Sequence, residues 1–413
     1  MKRFFYLLPI MAILIGFTSC SDKDDEEVIR HTVKVSVTLP SDVNSLSDVQ
    51  AMAVTVFNTA TAEESVAQID LATGTASLSL VPGTYNFTAS GKTDDLNLNG
   101  VMTGVEVFAD KTVSIELIAS VGSSIIFKEV YFSGVPDFYF QDAFYEIYNN
   151  TDEVQYLDGI ILGVVDFGLA PSTWNKDQPS VWMTGDTYTD GKYPLTSHVQ
   201  CFPGNGTDFP IQPRTSVIVA ANPIDHSART LAEGDKASPV NLSGADWQLY
   251  TDNAMPADTR IDGIPAMTFL WKTWGREMMP ATEGQPIIMA RLKNGMSPID
   301  YVADASSIAT IPGGSSTSLV IPADCILDAI DIVSADPACH IKRIEAKDDA
   351  GMAWYTGADG VSNGEYSGKS LRRKVAGVTA EGKVILKDTN NSSNDFIIGG
   401  GTPTPGTLPT NAD

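Results

Sequence analysis

The stretch HTVKVSVTL, His31–Leu39, alternates apolar and polar side chains without interruption. Val33, Val35 and Val37 fall on one face, and the residues between them fall on the other. A period of two residues is typical of a β-strand that buries one face and leaves the other in solvent. This stretch therefore predicts a half-buried strand and an all-β fold for this part of the chain.

The same alternation returns three times in the residues that follow. Turn sequences rich in Gly, Pro, Asn and Asp, such as VPGT and DDLNLNG, separate the runs. The runs are TASLSL at 75–80, TYNFTAS at 84–90 and TVSIELI at 112–118. Short strands at such spacing are typical of an antiparallel β-sandwich. We therefore predict a small β-sandwich over residues 30–119.

A second, larger β domain is predicted over residues 120–398. The stretch FYEIYNNTDEVQYLDGIIL at 144–162 indicates strand, polar turn and strand, because Asn and Asp side chains hydrogen-bond their own backbone in turns. Residues 165–275 are rich in Gly, Pro, Asp and Thr, which predicts long loops inserted into the domain.

Two further elements are predicted toward the end of the chain. In ADCILDAIDIVSAD at 323–336, Ile326, Ile330 and Val333 fall close to one helical stripe, which predicts a short helix. The final segment, 399–413, is dominated by Gly, Pro and Thr and predicts a flexible tail.

Near the beginning of the chain, the composition changes from apolar to acidic at Cys20. Lys2 and Arg3 precede an apolar run that is typical of a secretory signal over residues 1–19, and the run is too short for a stable transmembrane helix. The small residues before Cys20 resemble the lipobox of bacterial lipoproteins, which implies cleavage before Cys20 and its lipidation, with an acyl chain such as palmitate. An ordinary secretory signal that ends near a cysteine is the alternative.

The acidic run SDKDDEE directly follows Cys20. Like charges keep such a stretch extended, so residues 20–29 are predicted to form a tether. The run also resembles the export signal of surface lipoproteins of the Bacteroidetes. That resemblance implies a lipid-anchored protein of the outer membrane that faces the cell exterior.

The chain has 413 residues and a formal net charge of −24. So acidic a surface repels phosphate backbones, which argues against a nucleic-acid partner. It suits cations, cationic partners or neutral ligands.

Three cysteines remain after Cys20, so any disulfide leaves one thiol over. Cys325 and Cys339 are close enough in sequence to close a short loop, and a disulfide between them is one prediction. The alternative is that Cys201, Cys325 and Cys339 are all small, buried apolar residues.

The stretch KDTNNSSND at 387–395 is the best candidate for a metal site. Asp388, Asn390 and Ser392 place oxygen at every second position, and Asp395 could complete the set. This spacing resembles the first half of a calcium loop, although Ser393 stands where glycine is expected and no Glu stands at the twelfth position. A polar turn without a metal is the alternative.

Two tryptophans in FLWKTWG at 269–275 predict a ligand platform. Exposed indoles present flat faces to sugar rings or other π-faced ligands. A platform requires Trp271 and Trp274 to be highly exposed on one face. The alternative is that their side chains fill a core or pack at the base of a loop.

The sequence does not single out a set of catalytic residues. It contains no H-E-x-x-H, and its four histidines share no motif. In GEYSGKS at 364–370 only three residues separate the glycines, whereas a phosphate loop needs four. Paired carboxylates could still form a glycosidase, but no pair can be singled out among 51 acidic residues.

Several stretches resemble known families. The segment at 73–91, with PGTY at 82–85, resembles transthyretin-like and carboxypeptidase-regulatory-like sandwiches, which implies a spacer or stalk. Glu146, Asn149, Asn150 and Gly159 in the stretch at 144–162 resemble the opening of lamin-tail-type immunoglobulin-like domains. Later matches are PRTSVIVAANPID at 213–225, GQPIIMARLKNGMSPIDYVAD at 284–304 and GKSLRRK at 368–374. The ensemble resembles the DUF4876 family of Bacteroides surface lipoproteins, which implies no activity.

These observations predict a mainly β chain, in which an antiparallel β-sandwich is followed by a larger, loop-elaborated immunoglobulin-like, lamin-tail-like domain with few short helices. We expect a non-enzymatic lipoprotein that binds a ligand or partner and is accessory to nutrient uptake, with an outer-membrane transporter as the suggested partner. Two alternatives stay open: a carboxylate-based hydrolase acting on glycans, and a structural or adhesive surface protein.

Overall fold

The computed structural model describes residues 29–61, 63–136, 139, 141–166, 168, 180–231, 236–251, 261–275, 277–356 and 365–408. The predicted signal peptide, Cys20 and most of the predicted tether lie outside the described residues. Among the described residues, no helix is long and apolar enough to cross a membrane.

Eight strands form the first part of the chain, which we call the N-terminal sandwich. They are β1 His31–Thr38, β2 Ala51–Asn58, β3 Glu64–Gln68, β4 Thr75–Leu80, β5 Gly83–Lys92, β6 Asn97–Val107, β7 Lys111–Glu116 and β8 Ile118–Ser120. One sheet has the order β4-β1-β7 and the other the order β3-β2-β5-β6-β8. Strand β1 is antiparallel to β4 and parallel to β7.

The core of the N-terminal sandwich lies between these two sheets. Val33 and Val35 of β1 are buried there, as their alternation with polar residues predicts. Val54 and Val56 of β2 and Phe87 of β5 reach the same core from the five-stranded sheet. The outward-facing residues of β2 and β5 therefore form a second surface, against which the rest of the chain packs.

The remaining strands form what we call the C-terminal unit. They are β9 Ile125–Tyr131, β10 Phe144–Asn149, β11 Gln155–Tyr156, β12 Ile160–Val165, β13 Met183–Thr184, β14 Thr187–Tyr188, β15 Lys192–Cys201, β16 Pro210–Ile211, β17 Ser216–Ala220, β18 Trp247–Gln248, β19 Thr268–Lys272, β20 Ile287–Arg291, β21 Ile308–Thr310, β22 Thr317–Pro322, β23 Ile326–Ile330, β24 Leu371–Arg372, β25 Val375–Val378 and β26 Val384–Leu386.

Helices of the described chain are short. The α-helices are α1 Pro298–Ala303 and α2 Ser392–Asp395, and the 3₁₀ turns are Leu46–Asp48, His226–Ala228, Lys293–Gly295, Ala305–Ser307, Ala323–Cys325 and Pro337–Cys339. The prediction of a mainly β chain with few short helices is confirmed.

Two larger sheets enclose the main core of the C-terminal unit. One has the order β18-β17-β10-β9-β24, and the other has the order β21-β22-β15-β12-β20-β23, with β19 paired to β15. Alternate residues of β12 explain the layering: Ile160 and Leu162 enter the core between the sheets, whereas Ile161 and Val165 enter a second core on the opposite face. Strand β12 is therefore buried on both faces, which is why its sequence is continuously apolar.

The helix predicted at 323–336 is wrong. Residues Ala323–Cys325 form one 3₁₀ turn, and Ile326–Ile330 form β23, which pairs antiparallel with β20. A short apolar run does not distinguish a helix from a strand, and here the neighbouring strand supplies the hydrogen bonds. Ile330 enters the core between the sheets, whereas Ala329 enters the core on the opposite face.

The predicted flexible tail is not found over residues 399–408. The backbone N–H and hydroxyl of Thr404 donate to the two carboxylate oxygens of Glu129, each at 3.0 Å. The N–H of Gly406 donates to Glu146 at 3.2 Å, and Leu408 packs against an apolar cluster. The buried carboxylates at the centre of the sheet hold this segment, and residues 409–413 lie outside the described residues.

The N-terminal sandwich and the C-terminal unit are joined by side chains as well as by the chain itself. Asn97 and Asn99 of β6 donate to the backbone carbonyls of Asp388 and Thr389, at 3.1 and 2.7 Å. Asn391 donates to the hydroxyl of Ser90 at 2.8 Å. These bonds seat the loop around α2 on the outer face of the five-stranded sheet.

Candidate functional site

A cleft lies where the N-terminal sandwich meets the C-terminal unit. One wall is the outer face of the five-stranded sheet, and the other is formed by residues 340–354 and 391–394. We call this feature the interdomain cleft. Binding sites occur preferentially at such junctions, because neither unit alone closes the pocket.

The sheet wall follows from the alternation in β2 and β5. Because Val54, Val56 and Phe87 point into the sandwich core, their neighbours face outward. Phe57 lies opposite Asn86 in the register of β2 and β5, and both line the cleft. The pairing of β5 with β6 is also interrupted by a bulge at Asn86. Bulges are frequent beside functional sites, where they re-aim a side chain.

Gly351 allows the two segments of the opposite wall to meet. A β-carbon at this position would lie 2.3 Å from Asn391 Oδ1 and 2.4 Å from the backbone nitrogen of Ser393. Only glycine permits so close an approach, so this residue fixes the depth of the wall.

Three aromatic rings form the centre of the cleft. The ring of His340 lies 5.1 Å from that of Phe57, with an interplanar angle of 29°, and 4.5 Å from that of Trp354. The centroids of Phe57 and Trp354 are 5.9 Å apart. Phe57 and His340 are buried, whereas Trp354 is half-buried and presents part of its indole to the cleft.

The tautomer of His340 follows from its hydrogen bond. Nε2 lies 2.9 Å from the carbonyl oxygen of Ser334, and since a carbonyl only accepts, Nε2 carries the proton. Burial lowers the pKa of His340 to about 4, so the ring is neutral at pH 7 and Nδ1 is a bare acceptor. Nδ1 is buried and has no hydrogen-bond partner among the described residues.

Asn86 carries the opposite unsatisfied group. Its Oδ1 accepts a hydrogen bond from the N–H of Gly104 at 3.0 Å, which fixes the orientation of the amide. Its Nδ2 is buried and has no partner among the described residues. The cleft is therefore lined by one side chain with an unsatisfied donor and one with an unsatisfied acceptor.

The walls of the cleft carry little net charge. Lys342 is buried and lies 2.7 Å from Asp331, which neutralises it, and it also donates to the carbonyls of Asp349 and Gly351. Glu64 is the one carboxylate among the lining residues. Hydroxyl and amide groups supply the remaining polar surface, from Thr55, Thr88, Thr103, Asn391, Ser393 and Asn394.

The predicted calcium ligands do not assemble around an open position. Asp388 and Asp395 lie 3.3 and 3.5 Å from Nη1 of Arg373, which is 1% exposed. Asn390 accepts from Asn97, and the hydroxyl of Ser392 donates to Asp349. The guanidinium supplies the positive charge that calcium was predicted to bring. In the described part of the chain, no group of three or more His, Cys, Asp or Glu could hold a metal ion.

The predicted tryptophan platform is not assembled either. Trp271 is half-buried and packs against the second core, so only part of its indole reaches solvent. Trp274 is 47% exposed, and its Nε1 donates to the hydroxyl of Thr196 at 3.0 Å. The prediction required two highly exposed indoles, and the structure has one at these two positions.

The predicted disulfide is not formed in the structure. Cys325 and Cys339 are free thiols, as is Cys201. Cys325 is buried in the second core, whereas Cys339 is half-buried in the 3₁₀ turn Pro337–Cys339.

Sequence reasoning did not select Phe57, Asn86, His340 or Trp354 as site residues. A signal was present for Phe57, because the alternation of β2 places this large aromatic ring on the outward face. No comparable signal marked His340, whose role depends on a ring from another part of the chain.

Residues 212–402 match the model of a protein family that is described as a protein of unknown function, DUF4876. This part of the chain is a DUF4876 domain. The resemblance to DUF4876 that the sequence suggested is thereby confirmed. The DUF4876 domain supplies one wall of the interdomain cleft, and the N-terminal sandwich, which precedes the match, supplies the other.

A crystal structure of a DUF4876 family protein from Bacteroides thetaiotaomicron VPI-5482 has a similar fold. It is 24% identical, covers 92% of this chain and 99% of its own, and has a TM-score of 0.56. A proposed adhesin from Bacteroides ovatus ATCC 8483 is 10% identical, covering 68% of this chain and 84% of its own. Its TM-score of 0.18 is too low to support any conclusion. No curated protein matches the chain.

Proposed function

We propose that this protein is a non-enzymatic binding protein that holds an uncharged ligand in the interdomain cleft. The observation that carries this proposal is the cluster of Phe57, His340 and Trp354 at the centre of the cleft. An aromatic cluster between neutral polar walls favours a ligand that has an apolar face and hydrogen-bonding edges.

The charges around the cleft support an uncharged ligand. Lys342, the cation among the described residues that line the cleft, is already neutralised by Asp331 and does not favour an anionic ligand. The net charge of −24 over the whole chain also disfavours anions. Glu64 remains as an acceptor for hydroxyl groups.

A hydrolase based on paired carboxylates is less well supported. Such chemistry needs two carboxyl groups on either side of the bond to be cleaved, and Glu64 is the one carboxylate that lines the cleft. Asp328, Asp388 and Asp395 do lie near one another, but around the guanidinium of Arg373 and not around an open position.

We further propose that the protein acts at the cell surface. Lipidation of Cys20 would anchor it in the outer membrane, and the acidic tether would hold it away from the lipid. The N-terminal sandwich would act as a stalk, and a bound ligand would be passed to an outer-membrane transporter. Protease shaving of intact cells tests this location, because a protein that is cleaved only after the cells are broken is not on the surface.

A thermal-shift screen with matched tryptophan variants tests the binding proposal. The panel contains neutral oligosaccharides, calcium, haem, iron chelates and short peptides. A ligand that binds the folded state raises the melting temperature by mass action. Trp354→Phe should reduce that shift, whereas Trp274→Phe should leave it unchanged because Trp274 does not line the cleft. A shift that is insensitive to Trp354→Phe would place the ligand elsewhere, and no shift with any probe would favour the structural or adhesive alternative.

A further inference from the structure

We infer that the ligand of the interdomain cleft is a neutral sugar, one of whose hydroxyl groups bridges Asn86 and His340. The hydroxyl oxygen would accept a hydrogen bond from Asn86 Nδ2 and donate its proton to His340 Nδ1. This inference rests on the proposed function, because it specifies the chemical class of the ligand for the same cleft.

The first support is that both atoms are buried and unsatisfied. Asn86 and His340 are each 5% exposed, and neither Asn86 Nδ2 nor His340 Nδ1 has a partner among the described residues. A buried polar group without a hydrogen bond is costly, so the two atoms favour a ligand that can hydrogen-bond to both. Both side chains line the same cleft.

The second support is that both side chains are neighbours of one ring, that of Phe57. Asn86 lies opposite Phe57 across the β2–β5 ladder, and His340 stacks on the ring of Phe57 at 5.1 Å. Both side chains are thus neighbours of the same ring and line the same cleft.

The third support is that both hydrogen-bonding roles are fixed. The N–H of Gly104 donates to Asn86 Oδ1. Flipping the Asn86 amide would place its NH₂ group against that N–H, so two donors would face each other. Moving the proton of His340 to Nδ1 would leave Nε2 and the carbonyl of Ser334 as two facing acceptors. The cleft therefore offers one donor and one acceptor.

This combination selects the chemistry of the ligand. A carboxylate satisfies Asn86 but meets the lone pair of His340, and an ammonium group satisfies His340 but meets the NH₂ of Asn86. A hydroxyl group does both. The free space between the walls, about 50 Å³, suits one hydroxyl-bearing edge of a ring, and the threonines along the sheet wall offer partners for neighbouring hydroxyls.

Calorimetry on the full-length protein, in a detergent without sugar groups, tests this assignment. The probes are neutral gluco-, manno-, galacto- and xylo-oligosaccharides, their fully O-methylated counterparts and a short uncharged peptide. Asn86→Asp keeps the acceptor for Gly104 but removes the donor, and His340→Phe keeps a stacked ring but removes Nδ1. Trp274→Phe is the control outside the cleft.

We expect at least one oligosaccharide to bind the wild-type protein and Trp274→Phe equally. Asn86→Asp and His340→Phe should each weaken that binding about tenfold or more, the usual effect of leaving a buried partner unsatisfied. The O-methylated sugar has no hydroxyl proton to donate, so its affinity for the wild-type protein should be lower by a similar factor. Melting temperatures show whether each variant is folded, and Asn86→Asp remains informative if His340→Phe is not.

Other results separate the two proposals. If a sugar binds and Trp354→Phe abolishes binding while Asn86→Asp and His340→Phe bind normally, the cleft is the site but the hydroxyl bridge is wrong. If the peptide binds in the cleft and no sugar does, the ligand class is wrong and the binding function stands. If no probe binds and the wider thermal-shift panel is also silent, both proposals are overturned.

Discussion

The guanidinium of Arg373 donates to the carboxylate of Asp328 at 2.7 Å, and the two residues are 45 positions apart in the chain. Asp388 and Asp395 approach the same guanidinium from the loop around α2. Three buried carboxylates thus share one buried cation. This arrangement ties β23, the residue after β24 and the α2 loop together.

Replacing Arg373 should destabilise the protein strongly. Arg373→Met leaves several carboxylates buried without their cation, and the loss of one partner of a buried ion pair typically costs about 3–5 kcal/mol. Urea unfolding measures the loss. Lys293→Met, which removes an exposed pair with Asp324, should change stability by no more than about 1 kcal/mol. Because the guanidinium supplies the charge, millimolar calcium should not raise the melting temperature of the wild-type protein, and a clear rise would restore the calcium hypothesis.

Glu277 should make the folded state less stable as the pH rises. It is 7% exposed, and burial raises its pKa to about 7, whereas the unfolded chain has an ordinary carboxyl. At a pH between the unfolded and the folded pKa, the folded state holds a proton that the unfolded state has lost. The contribution of Glu277 to the free energy of unfolding therefore falls as the pH rises through the folded pKa. Glu277→Gln should therefore be more stable than the wild type at pH 8, by on the order of 3 kcal/mol. Equal stability of the two proteins from pH 5 to pH 8 would contradict the shift.

His340 should have the opposite pH dependence. Its folded pKa of about 4 lies below the ordinary histidine value, so between pH 4 and about 6.5 the unfolded chain binds a proton that the folded chain does not. Its contribution to stability is present above about pH 6.5 and is lost as the pH falls. The free energy of unfolding of both proteins is measured as a function of pH. Subtracting the values for His340→Phe from those for the wild type isolates the contribution of His340. A difference that does not change between pH 7 and pH 4 would show that the ring is not neutral and buried.

Thr404 should stabilise the segment that was predicted to be a flexible tail. Its hydroxyl donates to Glu129, a buried carboxylate whose pKa is raised by burial. Thr404→Val removes this hydrogen bond and should cost about 1–2 kcal/mol in chemical unfolding. Thr407→Val, at an exposed position three residues later, is the matched control and should have little effect. Equal stabilities of the two variants would mean that the hydroxyl of Thr404 does not stabilise the segment.

Much of the fold could be predicted because the deciding pattern is local. Alternation in β1, β4 and β7 identified strands correctly, since period two in side-chain polarity reflects one buried and one exposed face. The same reasoning failed at Ile326–Ile330, which is short, apolar and buried on both sides. Here the partner strand β20 decided between strand and helix, and the partner is not visible in the local pattern.

The candidate site was largely unpredictable for a related reason. Asp388 and Asp395 were predicted to be oxygen ligands of a metal cation. The cation that they surround is the guanidinium of Arg373. Trp271 and Trp274 were selected for their closeness in sequence, whereas the aromatic rings that do line a cleft come from Phe57, His340 and Trp354. Nearness in sequence is a poor guide to side chains that meet across two packed units.

The sequence by itself determined that this chain is mainly β and that its surface is strongly acidic. It also carried the resemblance to DUF4876. Those properties belong to single residues and to their immediate neighbours. Only the tertiary structure decided that Asn86 and His340 share one cleft and that Arg373 takes the position expected for a metal. The reason is physical: a site depends on which distant side chains are brought into contact, and those contacts are set by the packing of the whole chain.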